Sequence, residues 1–301
     1  MKPELKVDFA GVPLKNPLVT ASGTYNPEAS GQFYDPSILG AVTLKGVSAE
    51  AWQGNPTPRI AETYGGMLNS VGLQNPGAAE YLAHEIPYME QFDTKVIVNL
   101  AGHSIEEYER VTEMLCGADR IDMFELNISC PNVKEGGMTF GTDARMAEQV
   151  VKAVKRITDK PLIVKLSPNV TDITEIARAA VAGGADALSL INTLLGMRID
   201  IRRRQPILAR SVGGFSGPAV KPVAVRMVWQ VSHAVDVPVL GMGGVSTGED
   251  VVEMIMAGAT AVALGTVCLT DPQAPVRILG ELEETLNRLG IRDVNEIRGC
   301  V

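Results

Sequence analysis

The chain has 301 residues, of which 46% are hydrophobic and 21% charged, and a formal net charge of −8. That is ordinary for a soluble globular protein, and an acidic balance without a long Lys/Arg run argues against a nucleic-acid surface. No apolar stretch reaches the roughly 18 residues that a membrane span needs, and the opening MKPELKVDF has no signal-peptide core.

The first stretch, LKVDFAGVPLKNP, alternates around Gly11-Val12-Pro13 and reads as a hairpin that could plug the bottom of a barrel. PLVTASG (17–23) and AVTLKG (41–46) read as strands. After residue 90, short apolar runs alternate with segments of helical period. The strands are KVIVNLAG (95–102), DMFELNIS (122–129), PLIVKLSP (161–168), ADALSLINT (185–193), VPVLGMGG (237–244) and TAVALGT (260–266). The helices cover 104–118, 144–158, 171–185, 221–235, 248–259 and 275–290, with Thr171 as an N-cap and Gly183-Gly184 as a stop. A long polar excursion separates residue 193 from the helix at 221. Continuous Val/Ile/Leu strands are buried on both faces, as in parallel sheets covered by helices. Eight such strands predict an α/β fold, a (β/α)8 TIM barrel forming one domain over 1–301, with the N-terminal β-hairpin across the bottom. A doubly wound open sheet is the competing architecture.

In such a barrel the active site lies at the C-terminal ends of the strands. Those ends carry Ser22, Lys45-Gly46, Asn99, Asn127 with Cys130 beyond it, Lys165 and Asn192-Thr193. One polar residue there only terminates a strand. Two lysines and three asparagines point to a shared polar or anionic ligand, because a buried ammonium without a partner costs several kcal/mol. Gly243-Gly244 and Gly265 close the last two strands, where backbone N–H groups can take a phosphate. There is no GxGxxG after the first strand and no GxxxxGK[ST]. The four cysteines (Cys116, Cys130, Cys268, Cys300) form no CxxC pair, which excludes an obvious metal cradle and fits a reducing compartment, the cytoplasm.

TLKG (43–46), NSVGLQNPG (69–77), NISCPN (127–132), SGPAVKP (216–222) and the late GMGG and LGT motifs, in this order, resemble the dihydroorotate dehydrogenases. Cysteine after NIS is similar to the class 1 enzymes, since class 2 carries serine there. SCPNVKEGGMTFG (129–141) resembles class 1B, the catalytic subunit of an NAD-linked complex. The resemblance implies oxidation of dihydroorotate to orotate on an FMN at the barrel top, in pyrimidine biosynthesis. It also implies a partner electron-transfer subunit that carries FAD and a [2Fe-2S] cluster and reduces NAD. The expected assembly is a homodimer core within a heterotetramer.

Carried onto this sequence, the resemblance makes Cys130 the general base, presented on a loop that Pro131 stiffens. Asn69, Ser70, Val71, Gly72, Leu73, Asn127, Asn132, Asn192 and Thr193 surround the substrate, with Lys45 between substrate and flavin. Asparagine suits a ring of alternating N–H and C=O groups because it both donates and accepts. Ser22, Gly46, Asn99, Asn127, Ile191 and Gly217 line the FMN. Lys165 lies near the edge that gains charge on reduction, and Gly243, Gly244, Gly265 and Thr266 take the phosphate. Residues 131–141, with Gly136-Gly137 and Gly141, read as a lid that closes Cys130 over the substrate. Cys116, Cys268 and Cys300 read as inert. The alternatives are a class 1A enzyme that reduces fumarate, a dihydropyrimidine dehydrogenase-like reductase, and a non-redox barrel using Lys165 as a Schiff base.

Overall fold

The computed structural model describes residues 2–129 and 140–301. Val7–Phe9 (β1) and Val12–Leu14 (β2) pair antiparallel with Phe9 opposite Val12, so the turn is Ala10-Gly11, one residue earlier than the alternation predicts. Both turn residues have positive φ, 54° and 80°, and the Asp8 carboxylate accepts from the Gly11 N–H at 2.9 Å. Two-residue turns of this kind match the twist of the strands they join. Leu14 lies under the start of the second barrel strand: a Cβ at Gly40 would sit 3.2 Å from the Leu14 Cβ. The hairpin thus packs at the N-terminal ends of the barrel strands.

The remaining strands, in chain order, are Leu18–Thr20 (β3), Ala41–Thr43 (β4), Ile60–Thr63 (β5), Gly66–Asn69 (β6), Lys95–Leu100 (β7) and Met123–Asn127 (β8). They continue with Leu162–Lys165 (β9), Ala187–Leu190 (β10), Leu194–Met197 (β11), Ile199–Asp200 (β12) and Gln205–Pro206 (β13). The last are Val212–Ser216 (β14), Val239–Met242 (β15) and Ala261–Leu264 (β16). β3, β4, β7, β8, β9, β10, β15 and β16 form a closed parallel barrel, sealed where Val262 of β16 pairs with Leu18 of β3. The open-sheet alternative is excluded. Every residue of β9, β10, β15 and β16 is buried, as strands covered on both faces must be.

Helices at Ile105–Leu115, Ala144–Lys155, Ile173–Ala182, Lys221–Ser232, Gly248–Met256 and Ala274–Leu289 cover the barrel. Asp172, not Thr171, caps the third of these: its carboxylate accepts from Thr174 N at 2.9 Å. A carboxylate one residue closer to the helix outcompetes the hydroxyl for the same orphan N–H group. Three parts of the helical pattern differ from the sequence reading. The connection from β3 to β4 holds only short turns, at Pro27–Ser30 and Pro36–Ile38. Residues 78–91 form a helical stretch of mixed geometry, with Pro87 inside it. A further helix, Thr266–Thr270, starts directly behind Gly265.

The polar excursion is not an irregular loop. β11, β14, β6 and β5 form a four-stranded antiparallel sheet, in that order. β6 comes from the connection after β4, and β11 starts four residues after the end of β10, so the sheet stands at the C-terminal end of the barrel. Its register places Asn69 opposite Gly214 and Leu68 opposite Phe215. Its strands are short and half-exposed, and all but β5 carry glycine, which removes the apolar alternation that marks a strand.

Candidate active site at the barrel mouth

Parallel register decides which side chains share the barrel interior. Asn99 pairs with Glu125, and Asn127 pairs with Lys165, which pairs in turn with Ser189. Glu125 and Asn127 are two residues apart on β8 and therefore point to the same face. The Glu125 carboxylate is 1% exposed, accepts from Asn99 Nδ2 at 2.6 Å and from Ser189 Oγ at 2.7 Å, and lies 3.7 Å from Lys165 Nζ. Lys165 therefore has an anionic partner inside the protein, which corrects the expectation that both lysines await a ligand anion. Glu125 escaped the sequence reading because it sits inside an apolar run rather than at its end. The available signal was its two-residue spacing from Asn127.

Lys45 is the opposite case. It lies two residues beyond β4, and its carbonyl accepts from the buried Tyr81 hydroxyl at 2.6 Å. Among the described residues its ammonium has no hydrogen-bond or ion-pair partner. Burial, and then the neighbouring charges of Lys165 and Arg59, hold its pKa below the ordinary lysine range. Among the described residues, three positive charges thus converge where a single carboxylate, that of Glu125, balances Lys165. The loop after β3 reaches the same point: a Cβ at Gly23, next to the half-buried Ser22, would sit 3.1 Å from Lys45 Nζ.

The asparagines form a second group. Asn127 Oδ1 accepts from the Ser129 hydroxyl at 2.9 Å, and Asn192 Nδ2 donates both to that hydroxyl and, at 3.5 Å, to Asn127 Oδ1. Tyr108 holds the strand end by donating to the Asn127 carbonyl at 2.6 Å. Asn192 Oδ1 accepts from Thr193 N at 2.8 Å, and Asn69 Nδ2 reaches the Gly214 carbonyl at 3.4 Å. Thr193 packs against Gly214 so closely that a Cβ there would meet its hydroxyl at 2.1 Å. Ser129 was missed by the sequence reading, although it follows Asn127 in the motif. Leu73 faces Gly46, with Leu73 Cδ2 3.7 Å from a Cβ built there. Ser70, Val71 and Gly72 instead make their contacts with Asn55, which donates to the Ser70 and Val71 carbonyls. Asn75 fastens this loop by donating to the Leu73 carbonyl at 2.8 Å.

Across the mouth the groups are backbone. Gly243 and Gly244 have φ of 127° and 76°, which side-chain-bearing residues rarely adopt. The N–H groups of Gly243, Gly244, Gly265 and Thr266 reach no acceptor among the described residues. A Cβ at Gly265 would meet only Ala21, at 3.7 Å, so this corner is an open cradle. Ile191 borders it, 3.1 Å from a Cβ placed at Gly243. Gly217 packs on Gly66, and its neighbour Ser216 accepts from the Thr266 hydroxyl at 2.7 Å. One buried acceptor also stands without a partner, Asn99 Oδ1, turned toward Gly46.

Cys130, Asn132 and most of the lid segment, including Gly136-Gly137, lie outside the described residues. Of the other cysteines, Cys268 has its thiol pushed up to about 12 by burial and by Asp271, which keeps it protonated and unreactive at neutral pH. Among the described residues, no helix is long and apolar enough to cross a membrane.

The family model described as dihydroorotate dehydrogenase matches residues 4–286. The chain is 59% identical, over 301 residues, to the dihydroorotate dehydrogenase B (NAD(+)) catalytic subunit of Alkaliphilus metalliredigens, covering 100% of this chain and 99% of that protein. It is 55% identical over 296 residues to the protein of that name from Lachnoclostridium phytofermentans, covering 98% of each. The Geobacter sulfurreducens protein of the same name is 52% identical over 301 residues, covering 100% of this chain and 99% of that protein.

Proposed function

We propose, from the premise that this chain belongs to the dihydroorotate dehydrogenase family, that it oxidises dihydroorotate to orotate as the FMN-bearing catalytic subunit of an NAD-linked enzyme. The chain is an oxidoreductase, a dihydroorotate dehydrogenase of the NAD-linked type. The observation that carries the ligand reading is Lys45, a half-buried ammonium at the mouth with no carboxylate beside it among the described residues. Such a group is stable where an anionic or electron-rich ligand completes it.

FMN suits the residues present. Gly243, Gly244, Gly265 and Thr266 offer four uncommitted N–H groups for its phosphate. Asn99 Oδ1 offers an orphan acceptor, Asn127 an amide beside it, and Gly46, Ile191, Ser22 and Gly217 border the space. Bound there, FMN supplies the acceptor for the hydride that leaves the substrate. The chain's own part is to hold the ring and remove a proton from the neighbouring carbon. Asn69, Asn127, Asn192 and Thr193 present donors and acceptors to a planar ring, and Lys45 balances its carboxylate. Ser70 to Leu73 and Asn132 complete this side. Lys165 would set its ammonium against the edge of the ring that gains electrons.

Cys130 is the base. It follows Ser129, whose hydroxyl is tied to both Asn127 and Asn192, so the residue before the base is anchored to the substrate-side asparagines. A thiol with a pKa near the ordinary value of about 8.5 is partly thiolate at neutral pH and can take a carbon-bound proton when correctly aimed. We place the remaining functions on a partner subunit with FAD and a [2Fe-2S] cluster, through which electrons pass to NAD. We read residues 1–301 as one FMN domain that forms the homodimer core of a heterotetramer, acts in pyrimidine biosynthesis and resides in the cytoplasm.

The test is direct. The purified chain should be yellow, and anaerobic dihydroorotate should bleach its visible band. A colourless chain that takes up no FMN overturns the proposal, and so does a yellow chain that dihydroorotate leaves unbleached.

A further inference from the structure

Glu125 lies behind the proposed cofactor site, bonded to Asn99 and Lys165 of its wall and shut off from solvent, with 1% of its surface exposed. We propose that Glu125 is a positioning residue: its carboxylate fixes which face of the Asn99 amide is presented to the bound flavin, and makes that face an acceptor. This rests on the FMN reading above.

Donor and acceptor capacity sets the orientation of the amide. An ionised carboxylate only accepts hydrogen bonds. Its Oε2 takes Asn99 Nδ2 at 2.6 Å, a short and charge-assisted contact, and its Oε1 takes the Ser189 hydroxyl at 2.7 Å. Lys165 Nζ, 3.7 Å from Oε2, keeps the negative charge in place inside the barrel. An amide has one nitrogen and one oxygen. Once the nitrogen is committed to Glu125, the oxygen must face the other way. It does: Asn99 Oδ1 is turned toward Gly46, where a Cβ would lie only 2.6 Å away. It is fully buried and has no partner among the described residues. Nearly all buried carbonyl oxygens are paired, so an orphan of this kind calls for a donor from a ligand. The class of group it takes is a ring N–H. A neutral residue at 125 that could donate as well as accept would let the Asn99 amide turn over and present N–H groups instead. The charge of Glu125 therefore selects the ligand atom without touching it.

The experiment is a double-mutant cycle read by FMN affinity, measured on the flavin-stripped chain by quenching of flavin fluorescence. Glu125→Gln keeps the shape and removes the charge, and should weaken FMN binding about tenfold, the worth of one charge-assisted hydrogen bond. Asn99→Ala should weaken it at least as much. Because Glu125 acts through Asn99, the double variant should bind FMN no more weakly than Asn99→Ala alone. Losses that multiply, or a folded Glu125→Gln chain with the affinity of the parent, overturn the proposal. If Glu125→Gln does not fold, Ser189→Ala answers the same question by loosening the carboxylate: a loss of about twofold with Asn99 present and none in the Asn99→Ala background is expected for a hydrogen bond of modest net worth. Equal losses in both backgrounds overturn it. A parent chain that takes up no FMN sinks the flavin reading itself, whereas normal uptake with multiplying losses sinks only the role of Glu125.

Discussion

From β4 to β10 the mouth is lined by side chains, whereas β15 and β16 present only backbone. On the first wall Lys45, Asn99, Asn127, Lys165 and Asn192 are held by further polar groups, among them Glu125, Ser129, Tyr81 and Tyr108. On the second, Gly243, Gly244 and Gly265 offer N–H groups whose direction depends on φ and ψ alone. A side-chain wall can be detuned by removing atoms, and its failures pass along hydrogen-bond chains. A backbone wall has nothing to remove and fails only when atoms are added.

The largest effect expected on the side-chain wall is at the base. Cys130→Ala should lose about 10²- to 10⁴-fold in turnover, the usual worth of a general base, while still binding FMN. Steady-state assays with an absorbance spectrum check this, and unchanged turnover would end the assignment. Cys130→Ser should recover activity only at higher pH, since a hydroxyl is a far weaker acid.

The two lysines sharpen the comparison within that wall. Lys165→Ala strands the buried Glu125 carboxylate and should cost roughly 3 kcal/mol in denaturant unfolding of the flavin-free chain. Lys45→Ala strands no carboxylate among the described residues, and should leave that stability level or higher while lowering affinity for FMN and orotate. Equal destabilisation by both variants would contradict the difference drawn between them.

The glycines test the other wall. Gly244→Ala puts a methyl 2.7 Å from the Lys221 backbone at a φ of 76° and should cost about 1–3 kcal/mol, with FMN lost as well. Gly265→Ala meets only Ala21, at 3.7 Å, and should fold normally, with any effect confined to FMN binding. A folded Gly244→Ala chain with undiminished FMN affinity would remove that glycine from the phosphate cradle.

The smallest effect is in pH dependence. The folded pKa of Lys45 lies below its ordinary value of 10.5 because burial disfavours its charge. Between those two values the unfolded chain holds more protons than the folded one, so stability rises with pH across that window. Chemical denaturation of the flavin-free chain at a series of alkaline pH values should show that rise, and Lys45→Met should flatten it.

Much of this architecture was legible in the sequence because both-face burial makes β7, β8, β9, β10, β15 and β16 predominantly apolar runs. The polar residues closing them could be read off one by one. What stayed hidden had a physical reason in each case. Glu125 lies within a strand, so inspecting strand ends passed over it. Ser129 bridges Asn127 and Asn192, and Ser189 donates to Glu125, links that no linear motif displays. β5, β6, β11 and β14 are half-exposed, the last three carry glycine, and their pairing joins segments far apart in the chain. Asp172 displaced Thr171 as a cap by a single position, a difference that local chemistry decides only once the helix start is known.

The four-stranded sheet over the mouth has a consequence for how the molecule is made. Asn69 meets Gly214 across 145 positions of sequence. A ribosome releasing the chain from its N-terminus would have β6 waiting, unpaired along one edge, until two-thirds of the polypeptide had emerged. Closing so long a loop is slow, so the substrate-side asparagines would be gathered among the last events of folding, after the lower barrel had begun to form.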